Sequence, residues 1–208
     1  MTSRQFNRVS NLPVHFTRPA RSNLDAFLEQ QRTLDYTYKE VGATAATPPA
    51  GYNVDHTRIE VGRGEDDYQE AASAIRRWDH FRLGWVEPYP GDSPIQPDEM
   101  VGVVARAAGL CWVNACRIVY VIDEPHAKRF GYAYGTLPGH VERGEERFLV
   151  EIDAEGKVWY DILAFSQPRH LLPRLAYPWA RRLQRRFGRD SASALIRGMR
   201  QGANRPSI

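Results

Sequence analysis

From Met100 to Ser166 the chain is patterned almost wholly as β-strand, and beyond Ser166 its apolar residues fall four apart, at Leu171, Leu175, Trp179, Leu183 and Phe187. This change of period constrains the fold more than any other feature. MVGVVARAAG and CWVNACRIVYVID are rich in β-branched and aromatic residues, which suit a pleated, half-buried surface. In EERFLVEID, Phe148, Val150 and Ile152 point one way and Arg147, Leu149 and Glu151 the other. DAEGK then supplies a tight turn and VWYDILAFS runs back, so these segments predict a hairpin. Leu172, Ala176 and Ala180 widen the four-spaced stripe into an amphipathic helix. Pro173 is expected near its start and Pro178 at a bend or early break. Gly188 is expected to interrupt it, with a second short helix over Ser191 to Arg200.

Upstream, NVDHTRIEVG reads as a strand, GEDDYQEAASAIRRW as a helix and LGWVEPYP as a short strand. Glu65, Asp66 and Asp67 suit the positive end of that helix, and Tyr68, Ala71, Ala72, Ile75 and Trp78 recur at its period. RSNLDAFLEQQRTL reads as an earlier short helix, with Ser22 or Asn23 as its cap and Leu24, Phe27, Leu28 and Leu34 as a partial apolar face. GATAATPPAG reads as a connector. The expected organisation is an N-terminal arm over residues 1–50, a single domain over 51–200 and a flexible tail over 201–208. The arm is too short for a core of its own.

The order strand, helix, six strands, long helix predicts an α+β fold. A curved antiparallel sheet of about seven strands wraps around the C-terminal helix, which covers an apolar face the sheet cannot bury unaided. Gly102, Gly131 and Gly135 would permit bends and close approaches, and a cavity would lie between sheet and helix.

The chain has 208 residues, 42% of them hydrophobic and 25% charged, as in a folded globular domain. No run approaches the roughly 18 apolar residues of a membrane span, and MTSRQFNRVSNLPVHF carries no secretory pattern. A cytoplasmic protein is therefore expected. Cys111 and Cys116 in LCWVNAC would face opposite sides of one strand. They are expected to be free thiols, without a metal or redox partner.

YKEVGAT, PPAGY, GRG before the first body helix, CRIVYV, YGTLPGH, GEERF and AFSQP together resemble the UPF0548 family, also called domain of unknown function 1990, over roughly Tyr38 to Phe187. That family implies no chemistry. The order of elements also resembles the helix-grip fold of START-like and Bet v 1-like proteins. This second resemblance implies an apolar or amphipathic small molecule bound under the C-terminal helix, although a fold does not fix a function.

YGTLPGHVERGEERF gathers most of the candidate chemistry. Gly135, Pro138 and Gly139 build an ordered turn that ends at His140, with Glu142, Glu145 and Glu146 nearby. These could present an acid/base pair to a ligand, or could form a tight connection whose glutamates pair with Arg117 or Arg147. Arg117, inside an apolar run, requires a partner, either a ligand carboxylate or one of those glutamates. Tyr132, Tyr134, Tyr160 and Trp159, with Trp179 on the helix, are candidates to line a cavity. The types Ser166, His140 and Asp161 lack a GxSxG elbow, which argues against a nucleophile set. Gly62 and Gly64 fit neither GxGxxG nor a P-loop, so no cofactor or metal is expected.

Residues 169–200 hold nine arginines and one acid, Asp190. Arg181, Arg182, Arg185 and Arg186 could meet an anionic membrane surface or form the solvated side of a helix. Aromatics do not alternate with them, which argues against nucleic acid. A homodimer is left open.

Overall fold

The computed structural model describes residues 14–168 and 177–203, the side chains of 177–180 and 203 excepted. In chain order the elements are β1 (Val14–His15), α1 (Arg21–Gln31), β2 (Asn53–Arg63), α2 (Gly64–Arg76), β3 (Val86–Tyr89), β4 (Met100–Ala107), β5 (Leu110–Glu124), β6 (Arg129–Thr136), β7 (Glu142–Ile152), β8 (Lys157–Pro168) and α3 (Tyr177–Ala203), with single 3-10 turns at Ala43–Ala45 and Asp79–Phe81. Seven strands form one sheet in the order β2-β8-β7-β6-β5-β4-β3, and β1 pairs with β5. Every pairing is antiparallel. The predicted hairpin is β7–β8, in register from Glu142 opposite Pro168 to Ile152 opposite Val158. Asp153 Oδ1 closes its turn by accepting the N–H groups of Glu155 and Lys157.

Register shifts between Glu60 and Gly62 and between Ile118 and Tyr120 bend the long strands, since a bulge adds a residue to one strand and increases local twist. The concave face holds the main core: Trp78, Phe81, Ile118, Tyr132, Phe148 and Tyr160 pack with Ala72 and Ile75 of α2 and Leu195 of α3. The helix-grip arrangement expected from the sequence is therefore present.

Helix α3 differs from expectation in being continuous through Gly188. A Cβ at that position would come within 2.8 Å of Thr57 Oγ1. Glycine costs a helix interior about 1 kcal/mol relative to alanine, and here it lets the helix lie directly on β2. Pro178 falls in the first turn of α3, where an N–H would lack an intrahelical partner in any case. Leu171, Leu172, Pro173, Leu175, Ala176 and the end of the tail lie outside the described residues.

The arm makes its core with the body. Leu24 and Leu28 of α1 pack with Met100, Val104, Val113, Ala115 and Leu137 on the convex face. Ala20 stands at the N-cap of α1 without a side-chain cap, so neither Ser22 nor Asn23 fills that role. The chain then crosses the outside of the sheet. Thr37 N–H donates to Thr136 O, and a Cβ at Gly135 would come within 2.1 Å of Tyr38 Oη. Gly135 thus admits the arm rather than bending a strand.

Candidate functional site

Between the concave face and α3 lies a cavity of about 510 Å³, within the size range of small-molecule sites. Its wall changes character along the sheet. On the β3–β4–β5 side it is mostly apolar, with Trp85, Val86, Val103, Ala105, Ala107 and Trp112 beside Asn114; on the β6–β7–β8–β2 side Ile162 and Ala164 stand among the polar groups of Tyr134, Thr136, Glu142, Glu146, Ser166 and Asp55. Leu183, Gln184, Phe187 and Gly188 of α3 form the roof.

Alternation within strands places these groups. In β2, Asp55 and Thr57 face inward while His56 and Arg58 face out. In β7, Glu142 and Glu146 share the inner face with Phe148, so the two carboxylates meet one space. Tyr134 donates to Glu146 Oε2 at 2.7 Å. Gln184 Nε2 donates to Glu142 Oε2 at 3.4 Å and to Ser166 Oγ at 3.3 Å. Arg181 donates to Asp55 Oδ2, and also to Gln184 Oε1 at 3.1 Å.

Burial sets the electrostatics here. It pushes the Glu146 carboxyl up to about 7, further helped by the charges of Glu142 and Asp55 and opposed by the Tyr134 hydroxyl. Glu142 is also raised, first by burial and then by Asp55, while Ser166, Arg181 and Gln184 act against the rise. Burial raises the Tyr134 phenol well above its ordinary value, so it stays a hydrogen-bond donor.

Of the residues singled out in the sequence, the structure brings His140, Glu142, Glu146, Tyr134 and Ser166 to this cavity, and Glu145 borders it with its carboxylate turned to the arm. His140 Nδ1 lies against the backbone of Glu142, 2.9 Å from its N and 3.1 Å from its carbonyl oxygen. The loop carrying it is anchored on α1, where Gln31 Oε1 accepts the N–H of Gly139 at 2.7 Å.

The others are placed elsewhere. Tyr132 and Tyr160 lie wholly within the core: the Tyr132 hydroxyl meets His80 Nε2 and the Tyr160 hydroxyl meets Ser191 Oγ, each at 2.8 Å. The Glu145 carboxylate sits on the convex face, 2% exposed. It accepts hydrogen bonds from Tyr38 Oη, Gly42 N, Thr44 N and Thr44 Oγ1, and so holds the arm down. Trp159 donates its indole N–H to Asp153 at the hairpin turn. The side chain of Trp179 lies outside the described residues.

Arg117 also points outward. Its Nη2 donates to the carbonyls of Gln31, Arg32 and Leu34 at the C-terminal end of α1, and its guanidinium lies 5.3 Å from the Tyr36 ring centroid. The expected glutamate or ligand partner is replaced by orphan carbonyls carrying the negative end of a helix. Arg117→Met, which keeps the apolar stem, is expected to lower the unfolding free energy by about 2 kcal/mol in urea titration.

Asp161 is on the convex face too, bound by His56 at 2.8 Å, Arg147 at 2.8 Å and Arg58 at 3.1 Å. Burial acts to raise its carboxyl, but these three partners outweigh it and hold it below the ordinary range. Ser166, His140 and Asp161 therefore do not converge. Of the four arginines considered for a membrane surface, Arg181 turns inward to Asp55, and Arg186 pairs with Asp190 while lying over Trp85. Arg182 and Arg185 are exposed. Among the described residues, no helix is long and apolar enough to cross a membrane.

Sequence reasoning gave no cavity role to Asp55, Gln184, Trp85 or Trp112. The signal for Asp55 was its period-2 relation to Thr57 and Ile59; Gln184 follows Leu183 of the apolar stripe directly.

A family model described as Domain of unknown function (DUF1990) matches residues 37–194. A UPF0548 protein of Dictyostelium discoideum is 32% identical over 91% of this chain and 97% of its own length. A UPF0548 protein of Deinococcus radiodurans is 34% identical over 86% and 95% respectively. Among solved structures, the Zhui aromatase/cyclase from Streptomyces sp. R1128 superposes with a TM-score of 0.50 at 11% identity, covering 74% of this chain and 96% of that one. It shares the fold.

Proposed function

This chain belongs to the family of the domain of unknown function DUF1990, and on that premise we propose that it binds a small amphipathic molecule between the sheet and α3. The observation that carries this reading is the division of the cavity wall. Trp85, Val103, Ala105 and Trp112 offer an apolar body its burial at one side, and Glu142, Glu146, Ser166 and Gln184 offer polar contacts at the other. Each fully buried CH₂ of a ligand contributes about 0.8 kcal/mol. The polar groups add orientation more than affinity.

Ala164 tests the reading. It faces the cavity from β8 beside Ser166 and Ile162, so Ala164→Trp fills the space from within. The unaltered protein is expected to take up the neutral fluorescent probe N-phenyl-1-naphthylamine and to release a copurified small molecule in native mass spectrometry after denaturing extraction. Ala164→Trp is expected to lose probe uptake while keeping a cooperative thermal transition. Undiminished uptake by that folded variant would place the probe elsewhere and overturn the reading.

A further inference from the structure

We propose that the polar end of the bound molecule is a protonated amine, making this a site for amphipathic cations. The inference rests on the cavity reading above and specifies its chemistry. The described lining residues include the acids Asp55, Glu142, Glu145 and Glu146, the Glu145 carboxylate being taken up by the arm, and no lysine or arginine. The neighbouring cation, Arg181, is engaged by Asp55 and Gln184. Glu146 accepts from Tyr134 through Oε2, and its side chain lines the cavity, as does that of Glu142. Carboxylates gathered around an interior space whose wall holds no lysine or arginine are costly to ionise unless a partner supplies positive charge.

An incoming ammonium supplies both donors and charge. It can donate to Glu146 with Glu142 adding negative charge to the same cavity, and hydrogen bonds between charged partners are roughly twice as strong as neutral ones. A ligand carboxylate would instead place a third negative group beside two buried ones, a like-charge arrangement that penalises the wrong partner. Metal coordination is a poorer fit to the same acids. Among the described residues no group of three or more His, Cys, Asp or Glu is placed to hold an ion. The opposite wall, with Trp85 and Trp112 as its largest faces, accommodates an aromatic or broad apolar body.

The test uses three probes of one shape: 1-naphthylmethylamine, 1-naphthylmethanol and 1-naphthoic acid, titrated calorimetrically at pH 7.5 into the full chain and into Glu146→Gln and Glu142→Gln. The amine is expected to bind about 10-fold tighter than the alcohol and about 100-fold tighter than the acid. Glu146→Gln should weaken the amine about 10-fold and leave the alcohol within about 2-fold, because it removes charge while preserving shape. Glu142→Gln provides an independent second variant should the first fold poorly. Equal binding of acid and amine, or an amine-to-alcohol ratio unchanged in the folded variants, overturns the amine assignment alone. Uptake of N-phenyl-1-naphthylamine without amine binding does the same. Failure of all three probes together with that neutral probe overturns the cavity reading and this inference with it.

Discussion

Replacing Glu145 with alanine is expected to lower the unfolding free energy by about 4 kcal/mol and the melting temperature by about 8–16 °C, the range for a domain of this size. The carboxylate is 2% exposed and accepts four hydrogen bonds from the arm: Tyr38 Oη and Gly42 N on Oε2, Thr44 N and Thr44 Oγ1 on Oε1. Alanine leaves these donors without their acceptor, at about 1–3 kcal/mol for each that stays buried. Glutamine should not rescue. Each carboxylate oxygen faces two donors, so one pair must meet the amide NH₂, itself a donor. Hydrogen exchange separates this clamp from a general loss of packing. In Glu145→Gln, amides over residues 36–45 should exchange much faster while those of β7 and β8 change little. Uniform acceleration across the chain would show that Glu145 does not act through the arm.

The second large effect is a pair of opposed pH dependences. Glu146 has a folded value of about 7 against an ordinary 4.5, chiefly through burial. Between these values the unfolded chain has lost the proton that the folded chain retains, so stability falls as pH rises, by about 1.4 kcal/mol per unit and on the order of 3 kcal/mol in all. His80, wholly buried, has a folded value of about 3 against an ordinary 6.5, through burial. Between those values the unfolded chain binds a proton that the folded chain refuses, so stability falls as pH drops, on the order of 4 kcal/mol by about pH 3. The two slopes oppose each other from about pH 4.5 to 6.5. Unfolding in urea across this range should show Glu146→Gln gaining stability as pH rises, by comparison with the unaltered chain. His80→Gln should lose stability as pH rises, whatever its absolute stability. The Tyr134 donor still finds an oxygen in the first variant. The same slope in both variants and in the unaltered chain would show that neither group titrates as its burial dictates.

His80 also illustrates what a local reading leaves out. Nothing in WDHF distinguishes a surface histidine from one enclosed by Trp78, Phe81, Tyr132 and Phe148. Its Nε2 meets the Tyr132 hydroxyl, and its backbone carbonyl accepts from Ser191 of α3 at 2.9 Å. Those partners come from elements far along the chain.

His140, expected near a glutamate as an acid/base partner, reaches the cavity with its Nδ1 against the Glu142 backbone. One side-chain pair at the cavity is Tyr134 with Glu146, two residues that lie directly opposite each other in the register of β6 and β7. That register follows from a connection only a few residues long. It was in principle readable, but only once Glu142 and Glu146, rather than Glu145, were known to face inward.

The sequence by itself determined the elements and their order, because periods of two and of about four are local properties of backbone geometry. From these follow the β7–β8 hairpin, the helix laid on a curved sheet, and the existence of a wall between them. Only the tertiary structure decided which face of each strand looks at α3. Alternation sorts residues into two sets without saying which set is inside, and both faces of this sheet are covered: one by α2 and α3, the other by the arm. Arg117 and Glu145 stand among apolar neighbours and so resembled cavity groups, yet they serve the convex face. Asp55, with an ordinary strand context, faces the cavity because β2 pairs with β8 at the far edge of the sheet.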